Sequence, residues 1–344
     1  MTRDFETDPL RIDILAAESC RGAILYGLYD LLVSVGTAWS YLTEGTPSPS
    51  LTRVRIVART PDAFRCISGV PVIPDATLET ANDAEIVCLP NFRIAEFTSP
   101  TDILGPEIEW VLRCHVAGAR LATVCSGSAL LADAGLLDGQ EATAHWSMKE
   151  LFLKRYPKVE FRPERTLTFA GEGDSIVMSG GMASWQDLAL YLIARFIGPE
   201  HAARSARFYC VDPRPDGQRH YAAPKRRLQN DDAIIRECQE WLASGYAASD
   251  AVGRMVAKSG LPRRTFDRRF RAATGYSPTD YVQSLRIEEA KQLLEMEQRN
   301  VDSIAGEVGY SDVRAFRRLF NKMTGLSPAE YRRRFSSSRF LSAR

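Results

Sequence analysis

Histidine is scarce in this sequence, and its cysteines are scattered. The 344 residues include four histidines and seven cysteines, and no two cysteines form a CxxC pair, so the usual zinc-ligand spacing is missing. Free thiols of this kind are typical of a reducing compartment. The sequence also lacks an apolar run of the roughly 18 residues that a membrane span needs, and its N-terminus lacks the apolar core of a signal peptide. We therefore expect a cytoplasmic protein with no metal, no cofactor and no membrane contact.

Charge is unevenly distributed along a chain of ordinary globular composition. Apolar residues make up 45% and charged residues 25%, which excludes general disorder. Residues 1–224 hold 21 Lys and Arg against 28 Asp and Glu, a net charge of −7, whereas residues 225–344 hold 23 against 15, a net charge of +8. A basic half most often meets a polyanion, of which nucleic acid is the commonest. An ordinary solvated surface is the alternative explanation.

The first half of the chain alternates short apolar segments with amphipathic ones. The apolar segments predict strands over 11–17, 54–58, 84–90, 119–125 and 175–181. Apolar spacing of three and four residues predicts helices over 24–35, 102–117, 128–134, 148–156 and 185–197. This alternation indicates an α/β domain over 1–210 with a parallel sheet covered on both faces. The proline-rich, charged segment 211–230 indicates a linker.

The second half contains an internal repeat and no strand signal. Residues of 266–281 recur in 316–331 at an offset of 50, namely Phe266, Phe270, Thr274, Gly275, Ser277, Pro278 and Tyr281. Each copy predicts a helix, a tight turn with Gly260 or Gly309 in it, and a second helix, over 249–258 and 262–273 and over 301–308 and 312–323. We expect an all-α domain over 231–335 with two helix-turn-helix units, and a flexible tail over 336–344.

The second helix of each unit has an arginine-rich face. The arginines away from the apolar stripe are Arg264, Arg268 and Arg271 in the first copy and Arg314, Arg317 and Arg318 in the second. Such a face suits a helix in the major groove, where guanidinium groups bond guanine edges or phosphates. The helix predicted over 279–296 is about 27 Å long, close to the roughly 34 Å of one DNA turn. Two amphipathic helices with solvated charge are the alternative.

The basic half resembles the AraC/XylS family of transcriptional regulators over about residues 228–335. The resemblance rests on residues 304–305, 309–312, 316–320 and 325–332. It implies double-stranded DNA as the partner, with DNA-facing side chains at Arg263, Arg264, Arg268, Val313, Arg314 and Arg317. Arg318 joins this set because it shares the arginine face. The first copy is less typical of the family, since Met255, Val256 and Pro262 replace the usual residues.

A cysteine stands between a predicted strand and a predicted helix in the acidic half. Cys125 ends the strand over 119–125 and precedes the helix over 128–134. This placement is the nucleophile-elbow arrangement, in which a helix N-terminus lowers the thiol pKa and can bind an anion. His145 lies 20 residues further on. Cys125 and His145 are therefore the residual candidates for catalysis.

The acidic half resembles the ThiJ/PfpI branch of the flavodoxin-like, class I glutamine amidotransferase-like fold over about residues 10–200. The resemblance rests on residues 125–139, 142–146 and 187–190. The departures from the family's hydrolases are Ser126 for a histidine, Thr123 for a glycine, Ile24 for a carboxylate and Asn91 within a usually glycine-rich segment. A Cys–His pair without an orienting acid or an oxyanion hole is a poor hydrolase. We therefore expect a ligand pocket, formed by Cys125, Ser126, His145, Asn91 and Trp146.

Together the two halves resemble a GlxA-type regulator of the AraC/XylS family. We expect the N-terminal domain to sense a small nitrogen-containing metabolite and to form a homodimer. We expect the C-terminal domain to bind DNA on the nucleoid and to control transcription, with RNA polymerase as a further partner. The protein is then not an enzyme. Two alternatives stay open: a Cys-dependent hydrolase or amidotransferase-like enzyme fused to a DNA-binding domain, and a dimerisation platform that binds no ligand.

Overall fold

The computed structural model describes residues 3–5, 7–94, 99–214, 216–223 and 231–337. The chain divides into two compact units, Met1–Gln218 and Arg219–Arg344. The predicted tail over 336–344 lies outside the described residues from 338 onward. The predicted linker over 211–230 lies outside them at 215 and 224–230.

The first unit is built around a seven-stranded sheet. Its strands are β1 (Leu10–Leu15), β2 (Thr52–Ala58), β5 (Ala76–Thr77), β6 (Ile86–Leu89), β7 (Arg120–Val124), β10 (Leu167–Ala170) and β11 (Ile176–Ser179). Their spatial order is β10-β11-β7-β6-β1-β2-β5. Neighbouring strands run parallel, except that β10 pairs antiparallel with β11. Two short ribbons accompany the sheet, formed by β3 (Phe64–Arg65) with β4 (Pro71–Val72) and by β8 (Glu141–Ala142) with β9 (Glu160–Phe161).

The central strands are buried on both faces. Every residue of β6 and β11 is buried, and so are Ile12 and Ile14 of β1. Parallel strands with both faces covered need such continuous apolar runs. Asp13 is the polar exception at 1% exposure, and it accepts two hydrogen bonds of 2.8 Å from Arg55. The predicted α/β fold class of this half is confirmed.

Six of the helices described in the first unit pack in two groups. The α-helices in its described residues are α1 (Gly22–Val33), α2 (Thr37–Glu44), α3 (Pro100–Val116), α4 (Gly127–Asp133), α5 (Lys149–Arg155), α6 (Trp185–Phe196) and α7 (Pro199–Tyr209). Helices α1, α2, α6 and α7 pack together, and α3 packs with α4. Five of these helices end within two residues of the predicted bounds. The patterns did not predict α2, which has only eight residues, or α7, which has few large apolar residues.

No helix in the described ranges combines the length and apolarity that crossing a membrane takes. Helices α1 and α2 taken together, as a pair bent by 60°, have the length and composition of a broken span.

Residues 211–214 and 216–218 fold back onto the first unit, although the sequence predicts a linker there. The backbone N–H of Arg214 donates to Asp187 Oδ1 at 2.8 Å. Gln218 is 4% exposed, and its Nε2 donates to the Ala144 carbonyl at 3.0 Å. These bonds turn the first part of the predicted linker into a bound segment, which we call the strap.

The second unit is helical where it is described. Its α-helices are α8 (Ala233–Gly245), α9 (Ala251–Ser259), α10 (Arg263–Thr274), α11 (Pro278–Met296), α12 (Val301–Glu307), α13 (Val313–Thr324) and α14 (Pro328–Phe335). One apolar core surrounds Phe266 and Phe270 of α10, and a second surrounds Phe316 and Phe320 of α13. Helix α11 contributes to both cores, which explains its place between them. The two predicted helix-turn-helix units and the long helix joining them are confirmed.

Candidate functional site

Cys125 lies at the turn between β7 and α4, as predicted. Its φ is +56°, a left-handed conformation that residues other than glycine rarely adopt. Its backbone N–H donates to the Ser179 carbonyl at the end of β11, at 2.8 Å. Strained backbone of this kind is concentrated at functional sites. The strand, turn and helix of the elbow are therefore present.

The Cys125 thiol is protonated at neutral pH. Cys125 is 6% exposed, and burial raises its pKa to about 11. The backbone N–H groups of Ser126 and His145 lower this pKa, but they do not offset burial. The N-terminus of α4 therefore lowers the thiol pKa as expected, but burial has the larger effect and the net pKa is raised. Removing a thiolate from water outweighs the partial charge at the end of the short α4.

The imidazole of His145 is bonded to its neighbour Ser147. Its Nδ1 lies 2.7 Å from Ser147 Oγ and accepts the Ser147 backbone N–H at 3.3 Å. Burial lowers the pKa of this imidazole, which favours the neutral form. With Nδ1 accepting, the ring proton is on Nε2, so neither nitrogen is a free base. His145 meets the Cys125 thiol through its backbone N–H, and the two do not form a nucleophile and base pair.

The other three predicted pocket residues lie beside these two. Ser126 Oγ accepts the Phe92 backbone N–H (2.9 Å) and donates to the Phe92 carbonyl (2.6 Å), so the protein itself uses this hydroxyl. Asn91 is 6% exposed, and its Oδ1 has no hydrogen-bond partner among the described residues. The half-buried ring of Trp146 lies 5.0 Å from that of His145. A buried acceptor without a partner is unfavourable unless another group meets it, so Asn91 Oδ1 is the candidate ligand contact of this group.

We expect Cys125 to react slowly with alkylating agents at pH 7 and faster as the pH rises. With a pKa of about 11, about one molecule in ten thousand carries the thiolate at pH 7, and this fraction grows about tenfold with each pH unit up to pH 10. The exposed Cys210 is an internal control that should react first. Peptide mass spectrometry after timed iodoacetamide treatment measures both sites. Rapid alkylation of Cys125 at pH 7 would show an activated nucleophile instead.

Helices α10 and α13 present unpaired arginines to solvent. Arg264 and Arg268 are exposed on α10, and Arg314 and Arg318 are exposed on α13. In the described part of the chain, none of the four forms an ion pair. In each helix the two side chains are four residues apart, so they share one face. Their guanidinium groups are available to phosphates or guanine edges.

Three further predicted DNA-facing residues already have contacts within the protein. Arg263 pairs with Asp267 at 3.0 Å, and Arg317 pairs with Asp302 at 2.7 Å. Exposed ion pairs are weak, so either arginine can exchange its carboxylate for a phosphate. Val313 is half-buried against the second core, which leaves less of its surface for DNA than the sequence implies.

The turns before the two arginine-rich helices have the predicted backbone. Gly260 has φ +64° and Gly309 has φ +91°. Asp312 caps α13 by accepting the Arg314 backbone N–H at 2.8 Å. Pro262 lies at the N-cap of α10, just before its first turn. Both helices therefore begin where local sequence directs them to begin.

Arg286 of α11 joins the two helix-turn-helix units. Its guanidinium group donates to the carbonyls of Tyr246 (2.8 Å), Ala248 (2.7 Å) and Gly309 (3.0 Å). Gly309 also packs on the Ala247 backbone, since a Cβ on Gly309 would lie 2.4 Å from the Ala247 carbonyl oxygen. The first two carbonyls belong to the loop between α8 and α9, and the third belongs to the turn before α13. We call Arg286, its three carbonyls and the contact of Gly309 with Ala247 the clasp.

Two protein-family models match the chain, one in each half. The DJ-1/PfpI family model matches residues 35–164, which contain the elbow, and the helix-turn-helix domain model matches residues 255–334, which contain α10 and α13. The HTH-type transcriptional regulator CdhR of Pseudomonas aeruginosa is 27% identical over 270 residues, which are 77% of this chain and 77% of that one. The chain is a transcriptional regulator that combines a DJ-1/PfpI domain with a helix-turn-helix domain.

Other relatives of the regulator have names of the same kind. The HTH-type transcriptional regulator GlxA of Rhizobium meliloti is 27% identical over 222 residues, which are 64% of this chain and 67% of that one. The MmsAB operon regulatory protein of Pseudomonas aeruginosa is 41% identical over 177 residues, which are 47% of this chain and 56% of that one. The predicted function of a DNA-binding transcriptional regulator is thus confirmed.

The sequence patterns missed three features of the regulator: the clasp, the strap and a cavity beside α7. Arg286 and Gln218 have no local signature, because their partners are distant along the chain. A signal for the cavity was present in the sequence of α7. Polar and aromatic residues recur there at the spacing of one helix face, at His201, Arg204, Ser205 and Phe208.

Proposed function

We propose that the regulator docks α10 and α13 in successive major-groove segments of double-stranded DNA. The supporting observation is the face of unpaired arginines on each helix. The clasp holds the two helix-turn-helix units in one arrangement. Helix α11 has 19 residues, or about 28 Å, which is near the roughly 34 Å of one DNA turn. The guanidinium groups then contact guanine edges and phosphates.

Replacing Arg268 by Ala is expected to weaken specific DNA binding by about 1–3 kcal/mol, which is about 5- to 150-fold. The lost guanidinium has no competing partner in the described chain, so its full capacity is available to DNA. Fluorescence anisotropy with DNA from upstream of the regulator's own gene, titrated at several salt concentrations, measures the loss. Arg65→Ala, at an exposed site in β3, is the control. Unchanged or salt-insensitive binding would contradict this docking.

We further propose that the elbow binds a small nitrogen-containing metabolite and performs no reaction on it. Asn91 Oδ1 is a buried acceptor without a partner among the described residues, and it suits an N–H donor of the ligand. The neighbouring rings of Trp146 and His145, whose centroids are 5.0 Å apart, offer flat surfaces for the rest of the ligand. The regulator is then not an enzyme, because the Cys125 thiol is protonated and the imidazole is held by Ser147.

The strap gives this pocket a physical connection to the end of the first unit. Gln218, the last residue of that unit, donates to the carbonyl of Ala144, which is the neighbour of His145. A ligand that binds one arrangement of this segment more tightly shifts the population toward it. We propose that this shift controls DNA binding in a cytoplasmic homodimer, with RNA polymerase as a further partner at the promoter.

Thermal unfolding of the full-length regulator against small nitrogen-containing metabolites tests the effector proposal. A ligand at 100 times its Kd adds about 2.7 kcal/mol to the native state, which raises Tm measurably. Asn91→Ala should abolish the shift without destabilising the free protein, because it removes an unpaired buried acceptor. Asn82→Ala, at an exposed site, should keep the shift. A flat response across the metabolites would favour a dimerisation platform that binds no ligand.

A further inference from the structure

The first unit contains a cavity of about 260 Å³ away from the elbow. It lies between α2, α7 and the loop that follows α2. Pockets for drug-sized ligands are roughly 300–1,000 Å³, so this cavity suits a smaller molecule. The side chains that give it chemical character are Trp39, Glu44, His201, Arg204, Ser205 and Phe208.

One wall of the cavity is a row of hydrogen-bond donors on α7. His201, Arg204 and Ser205 follow one another at the spacing of a single helix face. Ser205 is 8% exposed, yet its hydroxyl makes no hydrogen bond in the described chain. Arg204 likewise has no ion-pair partner among the described residues. A hydroxyl without a hydrogen bond in the described chain and an unpaired guanidinium on the same face suit an anionic group such as a carboxylate, which accepts from both.

The opposite wall carries a negative charge and an aromatic surface. Glu44, in the last turn of α2, is exposed at the cavity and forms no ion pair within the described ranges. The indole of Trp39 is held by Arg207, whose Cζ lies 4.4 Å from the ring centroid. Such a cation–π contact fixes the ring. A cationic group of a ligand would face Glu44, and its aliphatic part would lie on Trp39.

The walls are held in place without a ligand. Tyr209 OH donates to the Asp30 carbonyl at 3.0 Å, which ties the end of α7 to α1. Ser40 Oγ accepts the Ser48 backbone N–H at 2.8 Å, which closes the loop after α2. Gly36 fits against the Pro49 carbonyl oxygen, which a Cβ would approach to 2.7 Å. Because these walls are already ordered, less conformational entropy is lost when a ligand binds.

We propose that this cavity binds a small aliphatic zwitterion. Its carboxylate bonds Arg204 and Ser205 with His201 beside them, and its ammonium group faces Glu44. The site is distinct from the elbow pocket, and the inference does not depend on an effector binding beside Asn91. It gives the first unit a second place at which a metabolite can bias its conformation.

Isothermal titration of the full-length regulator with a ladder of ω-amino acids, from glycine to 6-aminohexanoate, tests the site. Each zwitterion is compared with the carboxylate and the amine of the same chain length. We expect saturable binding of at least one zwitterion and binding at least tenfold weaker for its two controls. The proposal would be overturned if none of the ω-amino acids bound, or if the singly charged controls bound with the same affinity as the zwitterions.

Substitutions then locate the binding. Arg204→Gln and Glu44→Gln should each lower the affinity for the tightest-binding zwitterion at least tenfold. Ser205→Ala should lower this affinity several-fold. Arg195→Gln, at an exposed site in α6, and Asn91→Ala, at the elbow, should leave its affinity unchanged. The change in indole fluorescence on binding should disappear in Trp39→Phe. Unchanged affinity in both Arg204→Gln and Glu44→Gln would overturn the proposal, and loss in Asn91→Ala alone would assign the zwitterion to the elbow.

Discussion

Gly309→Ala is expected to lower the free energy of unfolding of the second unit by about 3 kcal/mol. The φ of +91° disfavours alanine by about 1–2 kcal/mol. The new Cβ would also lie 2.4 Å from the Ala247 carbonyl oxygen, a backbone atom that cannot rotate away. Overlap of this kind adds about 1–3 kcal/mol. Because Gly309 and Ala247 belong to the clasp, the substitution also pushes the two helix-turn-helix units apart.

The affinity for DNA should fall in Gly309→Ala by more than the loss of folded protein explains. Two helices held in one arrangement present the second contact at a high effective concentration once the first has formed. Gly309→Ala should therefore weaken binding to a full site by about tenfold or more where the protein is still folded. Binding to a half site should change little. Arg286→Met, which removes three hydrogen bonds and leaves Gly309 in place, should show the same pattern.

The first helix-turn-helix unit supplies a matched control for Gly309. Gly260 occupies the equivalent turn with φ +64°, and a Cβ there would meet no atom within 4 Å. Gly260→Ala should therefore lower the free energy of unfolding by about 1–2 kcal/mol, from the backbone conformation alone. Hydrogen–deuterium exchange on the intact chain reports the stability of each unit separately. An equal loss in the two variants would show that the contact with Ala247 has no energetic role.

Gly180→Ala is the second substitution with a large expected effect, because it displaces the strap. The new Cβ would lie 1.9 Å from Gln218 Nε2 and 2.8 Å from the Arg165 carbonyl oxygen. Gln218 is buried and donates to the carbonyls of Arg165 and Ala144, so expelling it leaves the Ala144 carbonyl unpaired, whereas the Arg165 carbonyl keeps its bond from Thr143 Oγ1. Each unpaired group costs about 1–3 kcal/mol. We expect the free energy of unfolding of the first unit to fall by about 3 kcal/mol. Under the proposed effector control, DNA binding should also no longer respond to the ligand.

The adjacent glycine is the control for this prediction. A Cβ on Gly181 would lie 3.4 Å from Gln218 Oε1 and 3.5 Å from Ser184 Oγ, which are ordinary contacts, and φ is −69°. Gly181→Ala should therefore change stability by no more than about 0.5 kcal/mol. Hydrogen exchange over 216–218 should rise in Gly180→Ala only. Full protection of this segment in Gly180→Ala would contradict the assignment of Gln218 as its anchor.

Local patterns determined which elements this chain forms. Parallel strands buried on both faces require continuous apolar segments, so the central strands could be located without knowing their order in the sheet. The repeat predicted the helix-turn-helix units because a helix face and its turn depend on residues a few positions apart. Helices α2 and α7 could not be found in this way, since α2 has eight residues and α7 has few large apolar residues to form a stripe.

Only the tertiary structure decided what those elements do chemically. The sequence placed Cys125 at an elbow, but the pKa of its thiol depends on burial. Burial raises this pKa by more than the backbone N–H groups at the adjacent helix lower it. Gln218 and Ala144 are 74 residues apart, and Arg286 lies 40 residues from Tyr246. Strand and helix formation depends on neighbours along the chain, whereas pKa values and buried hydrogen bonds depend on neighbours that folding brings together. The sequence therefore predicted a DNA-binding regulator, and folding decided that its elbow thiol is buried with a raised pKa and that bonds of Arg286 connect its two helix-turn-helix units.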